Sequence, residues 1–128
     1  MAEQELGFPN EPVPDHDSVF MRAHKNRMVN GLPGPGVFTA HDGGMSVDWS
    51  KYARPEQTRA RGRNPRDNAI IEMNVGEVRL IPTLDVLHTP EPQNQAHCDV
   101  PLPEVEEDLT EVRFRLKTIS KIAIPLNL

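Results

Sequence analysis

The sequence predicts an α+β fold: a single small domain whose mixed or largely antiparallel sheet is covered by one or two helices, with an acidic, proline-containing N-terminal tail. Three observations lead there. Short runs that are β-branched or alternate apolar with polar residues outnumber runs of helical period. They are not joined by regular helical crossovers, which argues against a parallel sheet built from βαβ units. Thirteen prolines and only 5% aromatic residues keep the regular elements short and their connections irregular. With 128 residues, 37% of them hydrophobic, the chain suits one domain better than two.

Residues 1–17 form the expected tail. Glu3, Glu5, Glu11, Asp15 and Asp17 stand there without a lysine or arginine, and Pro9, Pro12 and Pro14 interrupt any period. Such a stretch reads as mobile or draped on the surface, with Leu6, Phe8 and Val13 available as anchors. The domain proper is then 18–128. Its first strand is Ser18 to His24, an apolar run with Arg22 and His24 on one side. Turn formers crowd Asn30 to Gly36, followed by a short strand over Val37 to Ala40 and a turn at His41 to Gly44. Met45 to Trp49 alternates in strand fashion.

Pro55 and Glu56 suit the first turn of a helix running to about Gly62, since proline has no amide to orphan and an acid complements the dipole. Asn68 to Val75 has the β-branched content of a strand. Val78 to Ile81 continues the sheet or makes a short turn. Leu84 to His88 and His97 to Val100 read as further strands. At the end, Leu109, Val112, Leu116, Ile119 and Ala123 recur on one helical face, and Asp108 with Glu111 has capping-box spacing. The segment is read as a helix from about Leu109 to Ser120, then a strand to Ile124.

Composition narrows the function classes. Cys98 is the lone cysteine, which excludes an internal disulfide framework or a site of several thiolates and fits a reducing compartment. No apolar run has the length of a membrane span, and the first residues lack the basic start and apolar core of a secretory signal. A cytoplasmic protein without membrane contact is therefore expected. The formal net charge of -5 argues against wholesale nucleic-acid binding, yet a net value conceals a local basic surface.

The richest chemistry lies between His88 and Asp99. If His97 and Asp99 are on a strand, the period of two sets both on one face and Cys98 on the other. A tight return from His88 would bring a second imidazole close. Imidazole beside carboxylate suits proton transfer or a metal, although no spaced metal signature is present, and no metal or cofactor is assigned. The competing structural reading is that His88 and Asn94 merely fix a proline-rich turn. Arg22 and His24 share a strand face and would suit a phosphate or carboxylate, unless Arg22 pairs with Asp48 or Asp99. Ser46 and Asp48 project together, away from Met45, Val47 and Trp49, so a functional version would have them line one cavity with Arg22 and His97. A basic stretch carries Lys51, Arg54, Arg59, Arg61, Arg63 and Arg66 against Glu56 alone, and it recognises phosphate or is neutralised by the acidic segments.

Two functions are compatible with these features. The preferred one is a small accessory or binding protein that engages a macromolecular partner, a protein before a nucleic acid, through charged surfaces and loops. The alternative is a small enzyme acting on a phosphate-containing substrate such as a nucleotide or RNA. Under the enzyme reading alone His88, His97, Asp99, His24 and Arg22 would be catalytic; Arg54, Arg59, Arg61, Arg63, Arg66, Ser46 and Asp48 are the binding residues, the basic stretch serving the binding protein as well.

Overall fold

A computed structural model describes residues 7–40 and 44–126. Its strands are β1 (Ser18–His24), β2 (Met28–Val29), β3 (Leu32–Pro33), β4 (Met45–Trp49), β5 (Asn68–Asn74), β6 (Leu87–His88), β7 (His97–Val100) and β8 (Lys121–Ile124). Six of them form one sheet in the order β6-β7-β4-β1-β5-β8, every neighbouring pair antiparallel. The longest pairing joins β1 to β5, from Ser18↔Asn74 to His24↔Asn68. The helices are α1 (Pro55–Ala60), α2 (Val75–Leu80) and α3 (Glu106–Ile119). The domain is α+β, as the balance of strand-like and helical runs predicts.

The strand period of two splits the sheet into unlike faces. Val19, Met21, Ala23, Met45, Val47, Trp49, Ala69, Ile71, Met73, Cys98 and Val100 point to one side and are buried. They meet Val75 and Val78 of α2, Val112 and Leu116 of α3, and Val37 and Phe38 from the loop before β4. Burying a side chain of that size removes apolar surface worth about 1.5–3 kcal/mol each, so this layer holds the fold. The other face carries Phe20 and Ile70, roofed by α1, and then a polar field of Arg22, Ser46, Asp48, His97 and Asp99.

Several local expectations are narrowed or corrected. Of the two states expected for the acidic N-terminal segment, mobile or draped on the surface, its described part takes the draped one, with Val13 as an anchor. Val13 is buried, Asp17 accepts the indole N–H of Trp49 at 2.8 Å, and Asp15 accepts from Arg79 at 2.6 Å. Burial of that valine and an indole seeking an acceptor outweigh the segment's polarity. Val37 to Ala40 is not a strand. Pro35–Val37 forms a 3₁₀ turn, and the Phe38 carbonyl accepts from Arg113 Nε at 2.9 Å.

Val78 to Ile81 extends neither the sheet nor a turn: Val78 to Leu80 belong to α2 and Ile81 is its C-cap. There the Asn74 side chain caps the helix by accepting the Glu77 amide at 2.9 Å. α3 begins at Glu106, ahead of the expected cap at Asp108, and its first turn holds Glu106, Glu107 and Asp108 beside the positive end of the dipole. Asn30-Gly31 closes the β2–β3 hairpin with φ of 53° and 79°, the left-handed pair that a two-residue turn demands. The turn expected at His41 to Gly44 falls mostly outside the described residues, as do Glu3, Glu5 and Leu6.

Candidate functional site

The polar face of the sheet opens into a cavity of about 560 Å³, and the segments that build it come from across the chain. β1 contributes Arg22, β4 contributes Ser46 and Asp48, and β7 contributes His97. Thr58 and Arg61 reach in from α1 and its C-terminal end, Arg27 from the turn after β1, and Glu91, Gln93 and Asn94 from the loop before β7. Arg22, Ser46, Asp48 and His97, four residues the sequence singled out, therefore line one hollow.

Asp48 is the anchor of this arrangement. It is buried, and its carboxylate accepts from the Thr58 hydroxyl at 2.7 Å, from Asn94 Nδ2 at 2.9 Å and from Arg61 at 3.3 Å. It ties α1 and the loop before β7 onto β4, and it satisfies a buried charge in the process. The acid expected to pair with Arg22 thus pairs with Arg61. Arg22 instead donates to the Thr58 carbonyl at 3.0 Å. Arg27 donates to the Gly36 carbonyl at 2.9 Å and the Thr39 hydroxyl at 3.1 Å. Each guanidinium carries five N–H donors, so these bonds orient the groups and leave donors for a ligand.

His97 is held by its other ring nitrogen. Nδ1 lies 2.9 Å from the Thr89 carbonyl, which only accepts, so the neutral ring carries its proton on Nδ1 and offers Nε2 as the acceptor. The Ser46 hydroxyl donates to that Nε2 at 3.3 Å. Behind them, the Thr89 hydroxyl donates to Asp99 Oδ2 at 2.9 Å. Asp99 thereby steadies the residue that steadies the imidazole, while its other oxygen stays 3.9 Å from Nε2. The β4–β7 register, Asp48↔His97 and Ser46↔Asp99, creates this neighbourhood by making serine and imidazole diagonal partners on one face.

The remaining candidates lie elsewhere. His88 is buried on the far side, edge-on to Trp49 and stacked on Tyr52. Its Nδ1 accepts the Glu11 amide at 3.0 Å and its Nε2 donates to the Gln95 carbonyl at 2.7 Å, so both nitrogens are spent on backbone. A strand-end position near Pro90 looks the same in sequence whether the ring faces the polar field or the core. His24 accepts the Asn26 amide at 3.1 Å and caps a 3₁₀ turn, outside the cavity lining.

In the basic stretch, Arg61 enters the cavity, Arg59 donates to the Pro65 carbonyl at 2.9 Å, and Arg54, Arg63 and Arg66 stand exposed. Lys51 is engaged by the N-terminal segment, at 2.7 Å from Glu11, whose carboxyl this bond and a second from Tyr52 hold below its ordinary pKa. Cys98 faces the core, where burial pushes its thiol up to about 12.

Sequence reasoning missed Arg27, Thr58 and Asn94 as lining residues. A threonine three positions before Arg61 on a helix was the available signal for Thr58. For Arg27 the sequence carries no such signal. Among the described residues, no helix is long and apolar enough to cross a membrane. Also among them, no three His, Cys, Asp or Glu side chains are grouped to hold a metal ion. Comparison with protein-family models, curated proteins and solved structures yields no match to this chain.

Proposed function

We propose that the chain binds a phosphate-bearing small molecule of nucleotide size in the cavity over β1, β4 and β7. One observation carries this reading. The guanidinium groups of Arg22, Arg27 and Arg61 line the same 560 Å³ hollow, and of the two carboxylates among its described lining residues, Asp48 and Glu91, the first is already consumed by Arg61, Thr58 and Asn94. Fixed forks of donors suit phosphate oxygens, and the volume lies within the range of small-ligand sites. Exposed Arg54, Arg63 and Arg66 supply a wider positive field that draws an anion in. A cytoplasmic location belongs to the same proposal, supported by the single buried thiol.

The test is calorimetric titration with inorganic phosphate, nucleoside mono- and diphosphates and sugar phosphates. Binding should weaken about tenfold in Arg22→Ala and in Arg27→Ala, equivalent to one lost charge-assisted bond. Affinity should also fall as salt is raised. Equal affinity in both variants, or no binding across the series, refutes the reading.

A protein partner is the second reading, and a different surface supports it. Leu80 is 81% exposed and Phe114 67% exposed, and both line one groove with Ile81 and Ile119 between α2 and α3. Exposed large apolar groups that share a groove mark contact surfaces more often than isolated ones do. Replacing both with serine should abolish any self-association seen by sedimentation or any co-purifying partner, and unchanged behaviour removes this reading.

A further inference from the structure

We propose that Ser46 is a nucleophile activated by His97, which makes the cavity a site of phosphoryl transfer from a phosphate ester. The inference rests on the phosphate-binding reading and adds an activity to it. A serine hydroxyl becomes reactive when a base accepts its proton and a third group fixes that base in the right tautomer and direction. Those parts are present in sequence order unlike the elbow motif of hydrolases. The Ser46 hydroxyl donates to His97 Nε2 at 3.3 Å. The Thr89 carbonyl holds Nδ1–H at 2.9 Å, and Asp99 holds the Thr89 hydroxyl at 2.9 Å.

Exposure matches the roles. Ser46 is open to the cavity, whereas the His97 side chain is 14% exposed, so a substrate reaches the oxygen and the imidazole stays fixed behind it. The arginines of the lining decide the substrate class. Arg22 and Arg61 face the same hollow as the hydroxyl and would stabilise negative charge gathering on phosphoryl oxygens.

The step balances without an oxidant or a metal. Ser46 Oγ attacks phosphorus while its proton passes to His97 Nε2, the P–O bond to the alcohol breaks, and the departing alkoxide takes that proton. Water then attacks the phosphoseryl group as His97 receives its proton, the P–Oγ bond breaks, and the proton returns to Ser46. The products are an alcohol and a phosphate, and the serine is regenerated. Asp99 and Thr89 are positioning residues in this scheme.

A fluorophosphonate probe tests the nucleophile without knowledge of the natural ester. The folded full chain is incubated with the probe, and the adduct, formed as Oγ displaces fluoride, is located by peptide mass mapping. The expected result is a single adduct on Ser46, absent from Ser46→Ala. In His97→Gln the labelling rate should fall at least about a hundredfold. Thermal unfolding verifies that both variants are folded, and labelling of wild type in urea gives the rate of an ordinary serine. If the folded wild type labels Ser46 no faster than the urea-unfolded chain, or labels other serines equally, the proposal is overturned. The two readings fail separately. Phosphate binding without Ser46 labelling removes the nucleophile alone, and labelling without phosphate binding removes the ligand class and keeps the nucleophile.

Discussion

Replacing Asp48 with alanine is expected to loosen α1 and the loop before β7 together. The carboxylate has two short bonds from within the domain, Thr58 at 2.7 Å and Asn94 at 2.9 Å, and a longer one from Arg61 at 3.3 Å. Bonds to a charged acceptor are worth about 1.5–3 kcal/mol each. The low end applies here, because the freed Thr58 hydroxyl can turn to a carbonyl of its own helix and Asn94 borders the cavity and its water. The Arg61 side chain is 35% exposed, so its ion pair contributes little after screening. The sum is about 3 kcal/mol, or roughly 10 °C in the melting midpoint for a domain of this size.

Urea unfolding of Asp48→Ala, Thr58→Val and the double variant measures this loss directly. Thr58→Val alone should cost about 1–2 kcal/mol, since Asp48 keeps its other partners. The double variant should be more stable than the sum of the singles by about 1 kcal/mol, the coupling of groups in contact. A loss below about 1 kcal/mol for Asp48→Ala, or strict additivity in the cycle, would show that this carboxylate does not hold the cavity walls.

Other consequences are sharper in sign than in size. Cys98 has its thiol raised to about 12 by burial and by the nearby Asp48 and Asp99 charges, so the folded chain should resist a thiol reagent at pH 8 that modifies it quickly in urea; rapid reaction of the folded chain contradicts this. The same shift favours the protonated thiol in the fold, so wild type should lose stability relative to Cys98→Ala as pH rises from about 9 toward 12, while the difference between the two stays constant with pH below that window. Asp85 is held below its ordinary pKa by the bond from Arg79, so its contribution is present above the unfolded value and lost as pH falls through the lowered one; Asp85→Asn should flatten that part of an acid unfolding profile. Gly62→Ala would set a Cβ 2.8 Å from Asn68 Nδ2 and 2.9 Å from Arg22 Cδ, so it should weaken phosphate binding by displacing Arg22, as a titration against wild type would read.

What was legible in the sequence follows from which interactions are local. Ser18–His24, Met45–Trp49 and His97–Val100 could be read at their true bounds because alternation along a strand is set by a two-sided environment that the residues themselves encode. The same alternation placed Ser46 and Asp48 on one face, and His97 and Asp99 on one face. Failures occurred where a distant contact decided the outcome. Nothing near Asp17 announces the Trp49 indole that it receives, and no neighbour of Phe38 reveals that Arg113 will claim its carbonyl. The helix at Val75–Leu80 does carry a local sign, since Asn74 followed by Glu77 is a capping pattern, but Gly76 in its first turn masks it.

The histidines show why residue type and spacing alone do not define a site. His88 and His97 lie close in sequence and both are strand residues, yet one is closed by the backbone on each nitrogen and the other keeps Nε2 toward a cavity. The pairing frame produces the difference. In the β6–β7 register His88 stands opposite Cys98, and in the β4–β7 register His97 stands opposite Asp48. Partners across a ladder share a face, so His88 goes with the core-facing thiol and His97 with the cavity-facing acid. A slip of one residue in the β6–β7 pairing would turn His88 to the polar face, and one in the β4–β7 pairing would turn His97 to the core. The chemistry available to this chain is therefore fixed by strand register, and Asp48, which clamps that register to the helix and loop above it, has as much bearing on the site as the serine and imidazole within it.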